Sequence, residues 1–353
     1  MKIIALTDYK VRFGSKHFDQ PYRSGMDKEF LAQCFNDLGC ELEFVKLADV
    51  DFSEKWRKRN TIIYTSIEDL NYFYKSYIED VILALQEMGN LLIPNYIYLK
   101  ANNNKVFMEM LRISTRDQKI NSKRSYAFGC KEDLMMKIDG IRFPAVIKTA
   151  EGSSGSGVFL VKNEKELIKK VERIASTKNI LYDLKDLLRP IKHRGYIRDS
   201  VYRKKFVVQE FIPGLKNDWK VYCFGGKIYI FYRPIFKKRG FRASGGGYDN
   251  YFFGEKAPKP EGIFNFCKHI IGLFNVPNAS LDIAYDGSAF HLLEFQFLYF
   301  GTAGIPYSNG YYHEENGKWI FVKSKLKIEE VYAASICEYL KKYYLNDGPK
   351  TIK

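Results

Sequence analysis

Apolar runs of strand length alternate with segments of helical spacing through the first hundred residues. KIIALT (2–7), LEFVKL (42–47), TIIYTS (61–66) and LLIP (91–94) are short apolar runs of the kind strands make. Between them, Lys28 to Leu38 repeats its apolar positions at helical spacing and stops at Gly39. A second helix is expected near 74–88, ending at Gly89. This alternation predicts an open, mostly parallel sheet and an α/β N-terminal domain over residues 1–102.

The polar stretch KANNNK then acts as a hinge before the helical segment KVFMEMLR (105–112). A second unit, 103–206, holds a helix at 164–175, for which Asn163 is the N-cap and Glu166 its capping-box partner. Residues 189–205 are strongly basic and weakly periodic, and read either as a substrate-facing loop or as a solvated connector. The third unit, 207–353, carries strands near 206–212, 219–224 and 227–233 and helices near 262–274 and 327–344. A hairpin is expected at 280–297. The expected fold is an α/β domain followed by a two-part α+β assembly, with no internal repeat.

KTAEGSSGSGVFLVK (148–162) places a glycine–serine loop between two apolar runs. Gly152 and Gly157 satisfy the first half of a Walker loop, but Val158 and Phe159 stand where Lys and Ser/Thr would follow, and VFLVK reads as a strand. The segment is therefore strand, loop, strand. Gly152, Ser153, Ser154, Gly155, Ser156 and Gly157 leave main-chain N–H groups unshielded and able to close on an anion, with Lys148 at the end of the incoming strand. A hairpin tip without a ligand is the plainer alternative.

In LDIAYDGSAFHLLEFQF, Glu294 and Gln296 lie two apart on one strand and share a face. Whether Asp282 joins them depends on the turn. A two-residue Asp286-Gly287 loop puts Asp282 and Glu294 on opposite faces, whereas a three-residue loop with a bulge puts Asp282 opposite Leu292 and all three on one face. Carboxylate and amide oxygens so grouped suit Mg²⁺, and an exposed sheet face accounts for them equally well. A strand through Gln209, Glu210, Phe211 and Ile212 ends at a Pro-Gly break, where main-chain groups could pair with an adenine edge. Asp218, a few residues on, could hold ribose hydroxyls.

The formal net charge of +15 suggests an anionic partner, although the abundance of Lys, Ile, Asn, Tyr and Phe also fits an AT-rich coding sequence. The six cysteines are scattered, without zinc spacing, and read as buried thiols of a reducing compartment. The five histidines show no metal spacing. The apolar patch at the N-terminus is too short for a signal peptide and no stretch is long enough to span a bilayer, so the expected location is cytoplasmic.

Lys105, Lys148 with its loop, QEFI, Asp218 and the Asp282…Glu294-x-Gln296 hairpin together resemble the ATP-grasp superfamily over roughly residues 100–300. The patterns are similar to the ribosomal-protein glutamate ligase and D-alanine–D-alanine ligase branches. The resemblance implies that two domains grip ATP between them, with Lys105 and Lys148 on its phosphates. Residues Gly152 to Gly157 would close as a lid, the Glu210–Ile212 backbone would hold adenine, and Asp218 the ribose. It further implies Mg²⁺ on Asp282, Glu294 and Gln296, and Arg233 and Arg242 facing the transferred phosphoryl group. Two features depart from the family: Gln296 replaces the usual Asn, and FLYFGTAG (297–304) replaces a Ser-Pro-Gly segment that helps bind the acceptor.

The function so implied is an ATP-dependent carboxylate–amine ligase working through an acyl phosphate. A kinase on the same fold is the first alternative. A nucleic-acid binder using the 189–205 segment and KKRGFR (237–242) is the second, although these basic residues lack the recurring aromatic pattern of an RNA-binding module. Substrates would be a small carboxylate and an amine, anionic or sugar-linked.

Overall fold

The structure, a computed structural model, describes residues 1–14, 24–57, 59–152, 155–236 and 240–346. The N-terminal unit is a four-stranded parallel sheet of β1 (Lys2–Thr7), β2 (Glu41–Lys46), β3 (Thr61–Tyr64) and β4 (Leu91–Ile93), in the order β2-β1-β3-β4. Helices α1 (Lys28–Asp37), α2 (Phe73–Glu87) and α3 (Tyr96–Ala101) connect or follow these strands. All four positions of β3 are buried, as a central strand covered on both faces requires.

The second unit opens with α4 (Lys105–Ser114), capped by Asn104. Its sheet has the order β5-β8-β6-β7 and is antiparallel, built from β5 (Ser125–Phe128), β6 (Ala145–Thr149), β7 (Val158–Val161) and β8 (Phe206–Glu210). Helices α5 (Lys131–Met135), α6 (Glu164–Ile174) and α7 (Ile180–Lys192) fall between the strands. Leu167 and Val171 of α6 are buried with Ala145 and Ile147 of β6 and Phe206 of β8. Because β8 pairs with both β5 and β6, this sheet runs on past residue 206 to Glu210. Asn163 caps α6 by accepting from the Glu166 N–H at 3.0 Å, whereas the Glu166 carboxylate returns to Lys162 N rather than to Asn163. The basic segment is not wholly a connector: its first residues complete α7.

The third unit is a seven-stranded antiparallel sheet. Its strands are β9 (Asn217–Phe224), β10 (Lys227–Pro234), β11 (Phe252–Phe253), β12 (Asn278–Tyr285), β13 (Phe290–Gln296), β14 (Gly310–Glu315) and β15 (Lys318–Lys323). The order is β13-β12-β9-β10-β14-β15, with β11 on β10. Helix α8 (Ile263–Phe274) buries Cys267 and Ile270 in one core with Val221 and Leu281. Helix α9 (Ile328–Asn346) lies over the sheet's other side, sharing a core with Tyr222 and Phe231 and with Ile3 and Leu31 of the N-terminal unit. The six cysteines are unpaired, and all but Cys130 are buried. Among the described residues no helix is long and apolar enough to cross a membrane.

Candidate functional site

The second and third units together wall a cavity of about 590 Å³, to which the N-terminal unit adds Glu68. Lysines reach it from the small sheet. Lys105, in the first turn of α4, is buried and donates to the Gly152 carbonyl at 2.6 Å, with the Glu294 carboxylate 3.8 Å away. Lys148, at the end of β6, donates to the Leu293 carbonyl at 3.2 Å. Burial pushes the pKa of Lys148 down, against the opposing pull of Glu109 and Glu294.

Sequence reasoning missed a third lysine. Lys123 lies in the loop before β5 and donates to the Leu292 carbonyl at 2.9 Å, 3.9 Å from Glu109. Its burial brings its pKa down to about 7, with Glu109 working the other way. Burial alone would raise the pKa of Glu109, but Lys123 and Arg112 overcome it and hold the carboxyl at about 2. No motif marks Lys123, because loop residues carry no periodicity.

On the hairpin the turn is neither of the two expected. Tyr285 pairs with Phe290, leaving Asp286 to Ala289 as a four-residue loop. The cause is Asp286: its Oδ1 accepts from the N–H groups of Ser288 and Ala289, each at 2.8 Å, and its Oδ2 meets His291 Nε2 at 2.7 Å. Continued without interruption, this register would set Asp282 against Leu293. A bulge intervenes instead, so Ile283 pairs with Leu292 while Asp282 pairs with Glu294 and Ser280 with Gln296. Asp282 and Glu294 are thus direct cross-strand partners, and both line the cavity with Gln296.

The partners of Asp282 differ from those of a free metal ligand. Lys220 Nζ lies 2.9 Å from its Oδ1 and Arg233 Nη2 lies 3.0 Å from its Oδ2. These cations outweigh burial and hold its pKa below the carboxylate range. Glu294 and Gln296 are less committed: the nearest cation to Glu294 is Lys105, and Gln296 uses its Nε2 on Asn103 at 3.2 Å. Among the described residues no three His, Cys, Asp or Glu side chains converge as a metal cage. An oxygen-ligated cation that keeps part of its shell for phosphate or water still fits Glu294 and Gln296.

Asp218 also has a partner other than the one anticipated. Its two oxygens accept from Arg233 Nε and Nη2 at 2.6 and 2.8 Å, a bidentate pair buried on facing positions of β9 and β10. Burial pushes the Asp218 carboxyl upward, with Arg233 opposing it, while its two aspartates raise the pKa of Arg233 despite burial. Asn217 beside it lines the cavity too, and its buried Nδ2 has no partner among the described residues. Lys220 alternates with Asp218 along β9, and that spacing of two was the signal that could have found it.

Gln209, Glu210, Phe211 and Ile212 all line the cavity. Gln209 is pinned by Ser125 Oγ at 3.2 Å and the Glu210 N–H by the Arg124 carbonyl at 2.9 Å. The strand ends there, and the main-chain groups of Phe211 and Ile212 take no hydrogen bond among the described residues. Over the opening, Gly152, Gly155 and Gly157 line the cavity, while Ser153 and Ser154 lie outside the described residues. Arg242 Nη1 donates to the Gly155 carbonyl, joining the loop to the glycine-rich segment FRASGGG (241–247). Gly155 has φ +73°, and a Cβ there would stand 2.9 Å from Ser244 Oγ. Ser156 follows Gly155 at the loop's end.

Residues 101–189 match the family model of the RimK-like ATP-grasp domain. The fold is that of the ATP-grasp superfamily. Among solved ATP-grasp structures, the chain is similar to D-alanine–D-alanine ligase from Bacillus anthracis complexed with ATP. The TM-score is 0.50 at 14% identity, over 98% of this chain and 100% of that one. It is also similar to the D-cycloserine synthetase DcsG, with a TM-score of 0.53 at 9% identity over 96% and 100% of the two chains. The macrocyclase MdnC from Microcystis aeruginosa MRC, bound with precursor peptide MdnA, gives 0.50 at 9% identity over 95% and 98%. No curated protein matches the chain in sequence.

Proposed function

We propose that this ATP-grasp chain is an ATP-dependent carboxylate–amine ligase. One observation carries the reading: Lys105, Lys123 and Lys148 of the second unit and Arg233 of the third converge on one cavity that also holds Glu294 and Gln296. A polyphosphate is the ligand class that such a ring of cations suits. The unpaired main-chain groups of Phe211 and Ile212 suit an adenine edge at the other end. The orphaned Nδ2 of Asn217, rather than the occupied Asp218, suits a ribose oxygen. Mg²⁺, where bound, would sit on Glu294 and Gln296 and neutralise phosphate charge.

In the reaction a substrate carboxylate oxygen attacks the γ-phosphorus and the bond to ADP breaks. The amine nitrogen then attacks the acyl carbon, phosphate leaves, and the nitrogen loses a proton. Arg233, aimed by Asp218 and Asp282, and Arg242, bonded to the Gly155 carbonyl, supply fixed positive charge where negative charge gathers. The chain contributes position and electrostatics, and no nucleophile of its own.

The test is a screen of carboxylate and amine pools for substrate-stimulated ADP release, followed by hydroxylamine trapping. The expected result is a hydroxamate with the labelled γ-phosphate recovered as free phosphate. Label retained on a stable organic product would overturn the ligase and favour a kinase on the same site.

A further inference from the structure

Helix α7 is amphipathic in the reverse sense. Its polar side faces the loop that follows it: Asp186 Oδ1 accepts from Arg189 at 2.9 Å and from the Tyr196 hydroxyl at 2.5 Å, and its Oδ2 accepts from the Asp199 N–H at 3.2 Å. Tyr182 donates to Asp199 at 2.5 Å, and Arg203 pairs with Asp199 at 2.7 Å. Main-chain bonds from Thr177 N to Val201 O and from Lys204 N to Ala175 O close this helix and its loop into a unit inserted between α6 and β8. Asp186 is the buried residue of the helix.

The apolar side faces outward. Ile180, Leu181, Leu184, Leu187, Leu188 and Ile191 follow helical spacing along one face, and all are more than half exposed, Ile180 by 85% and Ile191 by 83%. Ile197, just beyond the helix, is 88% exposed. Single exposed aliphatics need no explanation, but a continuous row on one helix face marks an interaction site. The catalytic reading uses none of these residues.

Charge identifies the occupant. Lys185 and Lys192 border the apolar row one heptad apart, and Lys178 and Arg194 extend the exposed basic rim at its two ends, while Arg198 lies 3.8 Å from Asp186. Asp183, on the other border, is engaged in capping through the Asn179 N–H at 3.0 Å. Two copies meeting through this face would bring two basic rims together, at an electrostatic cost. A partner helix is normally held in a groove between elements, whereas a single helix presents a ridge. An aliphatic ridge rimmed by lysine and arginine fits a flat anionic surface with an apolar interior. We propose that α7 docks this chain on an anionic phospholipid membrane. Its leucines and isoleucines enter the headgroup–acyl boundary and its basic rim meets the lipid phosphates.

The experiment is co-sedimentation of the full chain with vesicles of equal parts phosphatidylcholine and phosphatidylglycerol, against vesicles of phosphatidylcholine alone. The wild-type chain is expected to sediment with the anionic vesicles, and less so as salt is added. Leu184→Gln with Leu188→Gln is expected to lower that binding by about tenfold or more. Lys185→Glu with Lys192→Glu should lower it comparably while leaving thermal unfolding unchanged, since all four side chains are exposed. No sedimentation with anionic vesicles, or equal binding by wild type and the leucine variant, overturns the proposal. A wild-type dimer that the leucine variant dissociates, with no vesicle binding, reassigns the face to self-association.

Discussion

Lys148 of the small sheet donates to the carbonyl of Leu293, the residue that bulges out of the β12–β13 register, across 3.2 Å. That bond ties the end of β6 to the irregularity that sets Asp282 against Glu294. Removing the ammonium therefore acts twice: the cavity loses a positive charge and a half-buried carbonyl loses its donor. Lys148→Met, which keeps most of the packing, is expected to reduce Mg-ATP turnover by about a hundredfold. Its unfolding midpoint should fall by only a few degrees, as for about 1 kcal/mol. Wild-type turnover in this variant would remove Lys148 from the site.

Arg233 has a structural place as well as the proposed chemical one. It is buried between Asp218 and Asp282, so Arg233→Ala strands two carboxylates, of which Asp282 keeps Lys220 at 2.9 Å, and should cost about 3–5 kcal/mol of stability. Adding Asp218→Asn should restore much of that stability, because the stranded charge is gone, but should restore no turnover. Denaturant titration and kcat/KM on the three proteins separate the two roles. Recovery of turnover along with stability would leave Arg233 as scaffold only.

Much of this arrangement was legible in the sequence, and the gaps have identifiable causes. The alternation along β13 placed Glu294 and Gln296 on one face, because strand periodicity is strict. The position of Asp282 was not legible: it depends on Asp286 gathering two loop N–H groups and on a bulge, neither of which a pattern of apolar positions encodes. The Gly152–Gly157 loop was recognisable as strand, loop, strand because Val158 and Phe159 exclude a helix start. Helix α7 was hidden because its last turn carries Pro190 and runs into the basic 189–205 segment. The partnering of Asp218 by Arg233 across β9 and β10 is a contact between strands, which local sequence does not reveal.

Arg242 bonds the Gly155 carbonyl in the segment between β6 and β7, and a Cβ at Gly155 would crowd Ser244 Oγ. Gly155→Val meets both obstacles, since valine resists φ +73° and its Cβ would press on Ser244. That variant, and Arg242→Ala, should both expose the segment around residues 150–158 to protease, about severalfold faster than wild type. Mg-ATP should slow cleavage of the wild type and do so less for either variant. Equal cleavage of all three proteins, with and without nucleotide, would count against a closing loop.

The last expectation concerns pH and Lys123. Burial lowers its pKa to about 7; Glu109 opposes this, while Arg112 and Lys148 reinforce it. As pH rises through about 7 the cavity should lose one positive charge, and affinity for ATP should weaken. The nucleotide and other site groups titrate as well, so the informative quantity is the difference between wild type and Lys123→Met, whose residue 123 cannot titrate. That difference in affinity should be largest below pH 7 and shrink above it. Stability should move the other way. An unfolded lysine keeps its proton up to about pH 10.4. Between about pH 7 and that point the unfolded chain therefore holds more protons, and the Lys123 contribution to stability rises with pH. The penalty of burying the charged ammonium is borne in full below about 7 and fades across that interval. Wild type should accordingly gain stability relative to Lys123→Met as pH is raised from 7 to 10. Binding and stability differences that both stay flat across this range would show that Lys123 keeps its proton throughout, and that Glu109 governs the pair.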